Sequence, residues 1–110
     1  SHCGACQSLH EEIPDTKDFI NIKKWLELGA KAKEVTLKNV YENSDDLYRA
    51  TEKNSVICQL DNLLTYPAIQ EKIKANTIQI HGWYYHLKNG SIEYYDKQSN
   101  SFKDLLEYQC

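Results

Sequence analysis

Sheet-forming sequence is confined to one stretch of this chain, and that limits its fold more than any other feature. The run Ile78-Gln79-Ile80-His81-Gly82-Trp83-Tyr84-Tyr85-His86-Leu87 is rich in β-branched and aromatic residues. Asn89-Gly90 predicts a two-residue hairpin turn, and Ser91 to Asp96 the returning strand. Two strands by themselves make a marginal sheet. The apolar helices upstream need more sheet than this to lie against. The pattern is that of the second half of an α/β domain.

The helices are marked by spacing and by their ends. Asp15, with Asp18 three residues on, predicts a capped start after Ile13-Pro14. Phe19, Ile22, Trp25 and Leu26 then share a face, and Gly29 is expected to end the helix. Val35, Leu37 and Val40 show weaker helical spacing. Ser44 followed by Asp45-Asp46 predicts a second capped start. Leu47, Ala50, Ile57, Leu60 and Leu64 make the face of a long helix that stops at Thr65-Tyr66-Pro67, where proline opens a short helix with Ile69 and Ile73. Ser101 with Asp104 predicts the cap of a closing helix. No repeat, linker or low-complexity segment interrupts residues 1–110, which read as a single partial domain.

Charge and apolar content narrow the function. A net charge of -3 leaves no basic excess to neutralise phosphates, which argues against a nucleic-acid binder. Trp83-Tyr84-Tyr85 facing Tyr94 and Tyr95 are read as cross-strand pairs rather than a base-stacking platform. Lys23, Lys24, Lys31 and Lys33 are a solvated helix face. No apolar run reaches membrane-spanning length, and the first residues are no secretory signal. Methionine is absent, so the expectation is a processed chain or a piece of something longer.

Four cysteines are present, Cys3, Cys6, Cys58 and Cys110. Cys58 falls inside a helical pattern and Cys110 is the last residue, so a reducing, cytoplasmic setting fits better than a secreted disulfide framework. Cys3-Gly4-Ala5-Cys6 has three readings: small buried residues at a helix start, a redox pair, or a source of zinc thiolate. Cys3, Cys6 and His10 share a helical face at i, i+3 and i+7, although one rigid helix seldom wraps a tetrahedral ion unaided. His10, His81 and His86 are read as structural or surface imidazoles.

Three separated segments together carry a resemblance. Ser1-His2-Cys3-Gly4-Ala5-Cys6 resembles the second zinc motif of the β-class carbonic anhydrases, H-S-x-C-G-A, entered one residue late. Gln59-Leu60-Asp61-Asn62-Leu63-Leu64-Thr65-Tyr66-Pro67 is similar to that family's QLxNLxTYP helix end. His81-Gly82-Trp83-Tyr84-Tyr85 with Asn89-Gly90 is similar to its HGWxY hairpin.

The resemblance implies the carboxyl-terminal half of an α/β domain with a mainly parallel sheet, to which this chain gives the last parallel strand and an antiparallel neighbour. It implies zinc as cofactor and carbon dioxide and bicarbonate as substrates. It assigns a zinc ligand to Cys3 and the tight turn beside it to Gly4. The partner histidine and an earlier C-x-D-x-R motif would stand before Ser1, so this stretch by itself is expected to be inactive and not to retain zinc. Cys6 falls where the family requires no ligand, and His2 occupies a variable position. A homo-oligomer is implied by the same analogy. The incomplete sheet adds the expectation that the chain is no free monomer. The alternative from a different class is a metal-free, non-catalytic module that self-associates through the long helix and the hairpin.

Overall fold

A computed structural model of the chain describes residues 1–108; Gln109 and Cys110, and with them any role for the last cysteine, lie outside the described residues. The chain divides into two compact units, one of His2–Ser55 and one of Ser1 together with the residues from Val56 onward.

The first unit is helical: α1 (Gly4–Ser8), α2 (Ile20–Leu26), a 3₁₀ turn (Glu27–Gly29), α3 (Ala30–Thr36) and the opening turns of α4 (Ser44–Leu63). Asp15 is not the cap of α2. Phe19 holds that position without a side-chain bond, and Asp15 instead pairs with Lys23 at 2.7 Å. Gly29 does not end the helical path either. Its φ of -92° is not the left-handed conformation of a glycine C-cap, and the chain passes through it into α3. At α4 the cap is one residue earlier than expected: Asn43 Oδ1 accepts the Asp46 N–H at 2.9 Å, and Ser44 is the first helical residue.

Burial in this unit departs from the apolar pattern. Thr36, Thr51 and Glu52 are buried, alongside Ala32 and Cys6. The Thr36 hydroxyl donates to the Ala32 carbonyl at 2.7 Å and accepts from Asn54 Nδ2 at 2.8 Å, while the Thr36 carbonyl accepts from the Tyr41 hydroxyl at 2.9 Å. Of the predicted face, Phe19, Ile22 and Trp25 are exposed, Trp25 to 62%, and Leu26 is half-buried.

The second unit contains the end of α4, α5 (Pro67–Lys74) and three short strands, β1 (Trp83–Tyr85), β2 (Ile92–Asp96) and β3 (Ser101–Asp104). Pro67 opens α5 at its first turn, as expected. The sheet order is β1-β2-β3 and both pairs are antiparallel, with Trp83 opposite Tyr94 and Tyr95 opposite Phe102. Of the predicted strand, only Trp83–Tyr85 joins this ladder. Residues 78–81 have no ladder partner among the described residues.

The hairpin is wider than a two-residue turn. His86 N–H donates to the Ser91 carbonyl and Gly90 N–H to the His86 carbonyl, so four residues form the loop. Gly90 alone in this loop takes a positive φ, +72°, whereas the two-residue type demands it at both central positions. Asn89 uses its side chain instead, accepting from Ser91 N–H at 2.9 Å. The predicted closing helix is also corrected. Ser101 lies in β3, and Asp104 caps only a 3₁₀ turn, accepting from Leu106 N–H.

Tyr84 is the buried aromatic of the sheet, edge-on to His86 and Phe102. Gly82 is pressed against α4: an added Cβ would stand 2.7 Å from both Leu60 Cδ1 and Val56 Cγ1. Next to that contact, Ile57, Leu60, Leu64, Ile73, Ile78 and Ile80 line a groove of about 610 Å³. No helix among the described residues is long and apolar enough to cross a membrane.

Candidate metal-ligand turn

Cys3 is the N-cap of α1, in extended conformation, and its carbonyl accepts the Gln7 N–H at 3.1 Å. Its side chain is exposed. The backbone N–H of Cys3 donates to Glu52 Oε2 at 2.7 Å, a short charge-assisted bond across 49 residues of sequence. Glu52 is only 5% exposed. A buried carboxylate requires a cation or several donors, and Arg49 supplies one. Its Nη2 donates to Glu52 Oε2 at 3.0 Å. Its Nε lies 2.9 Å from Oε1, an ion pair whose N–H points off the line to the oxygen.

Arg49 reaches one residue further. Its Nη1 donates to His2 Nδ1 at 2.8 Å. His2 has a φ of +60°, a left-handed conformation that costs a non-glycine residue about 1–2 kcal/mol. The imidazole seated on Arg49 helps to hold it there. The result is a continuous polar chain, His2–Arg49–Glu52–Cys3, in which α4 fixes the backbone of the cysteine turn.

Cys6, one turn into α1, is 8% exposed. Burial first, then the charge and hydrogen bond of Cys3 and the charge of Glu52, push its thiol up to about 12. At neutral pH it is a protonated thiol. His10 turns elsewhere. Thr51 Oγ1 donates to the Leu47 carbonyl at 2.7 Å, so its contact with His10 Nε2 at 2.8 Å requires the imidazole to be the donor. Burial, and then the charge of Lys33, hold His10 below its ordinary pKa, which agrees with a neutral ring.

His81 and His86 belong to the sheet unit. His86 Nε2 meets Glu93 Oε2 at 2.6 Å, and His81 lies edge-on to Tyr108. The predicted face of Cys3, Cys6 and His10 therefore assembles no ligand set. Among the described residues no group of three His, Cys, Asp or Glu side chains is placed to hold a metal ion. A zinc centre needs three protein ligands and an open position. These residues by themselves do not fit one, and Cys3 is the one thiol of the pair presented outward.

Arg49 and Glu52 were not singled out by pattern reading. Their signal lies in the interrupted face of α4. Between Ala50 and Ile57 the helix places Thr51 and Asn54 where apolar residues would continue the stripe, and an Arg-x-x-Glu pair, Arg49 and Glu52, brackets the first of them.

A family model described as carbonic anhydrase matches residues 1–92. The carbonic anhydrase of Helicobacter pylori is 35% identical over 113 residues, covering 97% of this chain and 50% of that protein. The carbonic anhydrase of Synechocystis sp. is 30% identical over 109 residues, covering 93% of this chain and 38% of that protein. The solved structure of the β-carbonic anhydrase CcaA matches with a TM-score of 0.84 at 28% identity, over 94% of this chain and 51% of that one. The chain thus spans about half the length, or less, of the relatives it matches.

Proposed function

Because this chain belongs to the β-class carbonic anhydrase family, we propose that a full-length protein containing it is a zinc-dependent enzyme. It would interconvert carbon dioxide and bicarbonate. The observation that carries the reading is the turn at Cys3, where an outward thiol stands on a backbone N–H tied to a buried carboxylate at 2.7 Å. Such a tie fixes the direction of a ligand sulfur in the way that supporting hydrogen bonds orient other metal ligands.

In this reading Cys3 holds zinc together with ligands from outside these residues. When bound, zinc supplies a Lewis acid that brings the pKa of water toward about 7. The work of the chain itself is positional. Glu52 holds the Cys3 backbone, Arg49 neutralises Glu52, and Cys6 fills the space beneath. The 110 residues without further ligands neither retain stoichiometric zinc nor hydrate carbon dioxide. We extend the proposal to self-association in the cytoplasm. The exposed Phe19, Ile22 and Trp25 of α2 support a partnered face, and the thiols Cys3 and Cys6 support a reducing compartment.

Substitution in the full-length protein tests the ligand assignment. Cys3→Ser should remove bound zinc, measured by elemental analysis, and lower hydratase activity by more than about a hundredfold. Cys6→Ser should leave zinc stoichiometric and activity within about twofold. The reverse pattern would transfer the ligand role to Cys6 and overturn the assignment.

A further inference from the structure

The hairpin tip carries a side chain that neither the sheet ladder nor the cysteine turn uses. Of the chain's asparagines only Asn89 precedes a glycine, and it lies exposed in the loop between β1 and β2. Its Oδ1 accepts the Ser91 N–H at 2.9 Å. A side-chain oxygen that reaches the N–H two residues on folds its carboxamide over the peptide between them, here that of Gly90. Gly90 has no side chain to crowd the approach, and a Cβ placed there would stand 3.5 Å from the Tyr85 hydroxyl. We propose that Asn89 is a self-modifying site, at which the Gly90 nitrogen displaces ammonia from the side-chain amide and water then opens the resulting cyclic imide.

The reaction balances with water as its co-reactant and needs neither metal nor substrate. The Gly90 N–H gives its proton to solvent base, and the nitrogen forms a bond to Cγ of Asn89. The electron pair moves onto Oδ1, at which the Ser91 N–H already points, so a donor is in place where the charge develops. Collapse breaks the Cγ–Nδ2 bond, and ammonia leaves with a proton from solvent. Water then adds to either imide carbonyl. Breaking the Cγ–N bond leaves aspartate. Breaking the bond from the main-chain carbonyl leaves isoaspartate, with the chain routed through Cβ and Cγ. One bond opposes the first step: the Gly90 N–H is held by the His86 carbonyl at 2.8 Å, and this bond must open before the nitrogen attacks. Isoaspartate lengthens the main chain inside a loop that the His86–Ser91 and Gly90–His86 bonds close, and it loosens that loop.

The test uses full-length protein aged in neutral and in alkaline buffer, with and without urea, then digested after glutamate at acidic pH. In the peptide ending at Glu93, Asn89 should exchange an amide for a hydroxyl in mass, and part of the product should accept methyl groups from an isoaspartyl methyltransferase. The rate should rise with pH. In urea it should rise by about fivefold, the factor for releasing one ordinary hydrogen bond. Asn89→Gln should leave position 89 unchanged, because its imide ring would be one atom larger. Protein carrying isoaspartate should exchange its amide hydrogens faster over residues 83–96. Conversion of Asn76 or Asn100 ahead of Asn89 in the folded protein overturns the proposal. So does an Asn89 that reacts in urea and stays intact when folded. Aspartate formed without isoaspartate would mean direct hydrolysis of the side chain, and the imide route would be wrong.

Discussion

The two units are held together by different chemistry. In His2–Ser55 two hydroxyls and a carboxylate are buried beside Ala32 and Cys6, and each of the three is committed to named partners: Thr36 to Ala32 and Asn54, Thr51 to Leu47 and His10, Glu52 to Cys3 and Arg49. In the sheet unit the buried elements are an aromatic ring, Tyr84, and a glycine pressed on Leu60 and Val56. Apolar contact tolerates small rearrangements at modest cost, whereas a buried polar network is favourable only when every member is satisfied. The unit that carries Cys3 is thus the one whose geometry is specified most narrowly. A turn that presents a sulfur in one direction benefits from that narrowness.

Breaking the polar side should give the largest effect. Glu52→Ala strands the Arg49 guanidinium and the Cys3 N–H, and should cost about 3 kcal/mol, toward the lower end for a broken buried pair because Arg49 is partly exposed. Hydrogen exchange should rise most over residues 2–12. A loss below about 1 kcal/mol would mean that water replaces the carboxylate, and the contrast between the units would dissolve.

On the apolar side, Gly82→Ala drives a methyl group to within 2.7 Å of Leu60 and Val56. Overpacking of this kind costs about 1–3 kcal/mol, and exchange should rise over residues 82–96 instead. Accelerated exchange at residues 2–12 in this variant would show that the two regions do not respond separately.

The smallest effect is the titration of His10. Its folded-state pKa is lowered from 6.5 by burial and then by Lys33. Below 6.5 the unfolded chain binds the proton first, so the contribution is complete above that pH. It is lost as the pH falls through 6.5 toward the folded-state value. Denaturant midpoints for His10→Gln should show a shallower decline between about pH 7 and pH 5 than the parent chain. Identical slopes would place the titration elsewhere.

Much of this was legible in the residues. Pro67 opening α5, the long helix from the Ser44 region to Thr65, and the hairpin beginning at Trp83 all follow from local chemistry that tertiary contacts leave unaltered. The errors arose where a partner outside the local window decided the outcome. Asp15 met Lys23 and so was not free to cap α2. Residues 101–104 found β2 and became a strand in place of a helix start. At the candidate site, Cys3 was visible from its motif, but the group that holds it was not. Glu52 lies 49 positions away, and an Arg-x-x-Glu pair on a helix ordinarily signals a solvated surface pair. Its burial can be known only once α1 is docked on α4.

The buried ring of Tyr84 has an optical consequence. Near-ultraviolet circular dichroism needs aromatic side chains held in fixed, asymmetric surroundings. Tyr84 meets that condition in the sheet unit, while Trp25 stands in solvent in the helical one. Loosening of residues 2–55 would therefore register chiefly in the far-ultraviolet helix signal, and in the aromatic band only through Tyr41 and Tyr48, which rest on Thr36 and His10. A melting curve followed only in the aromatic band would weight the sheet above the part of the chain that carries the cysteine turn.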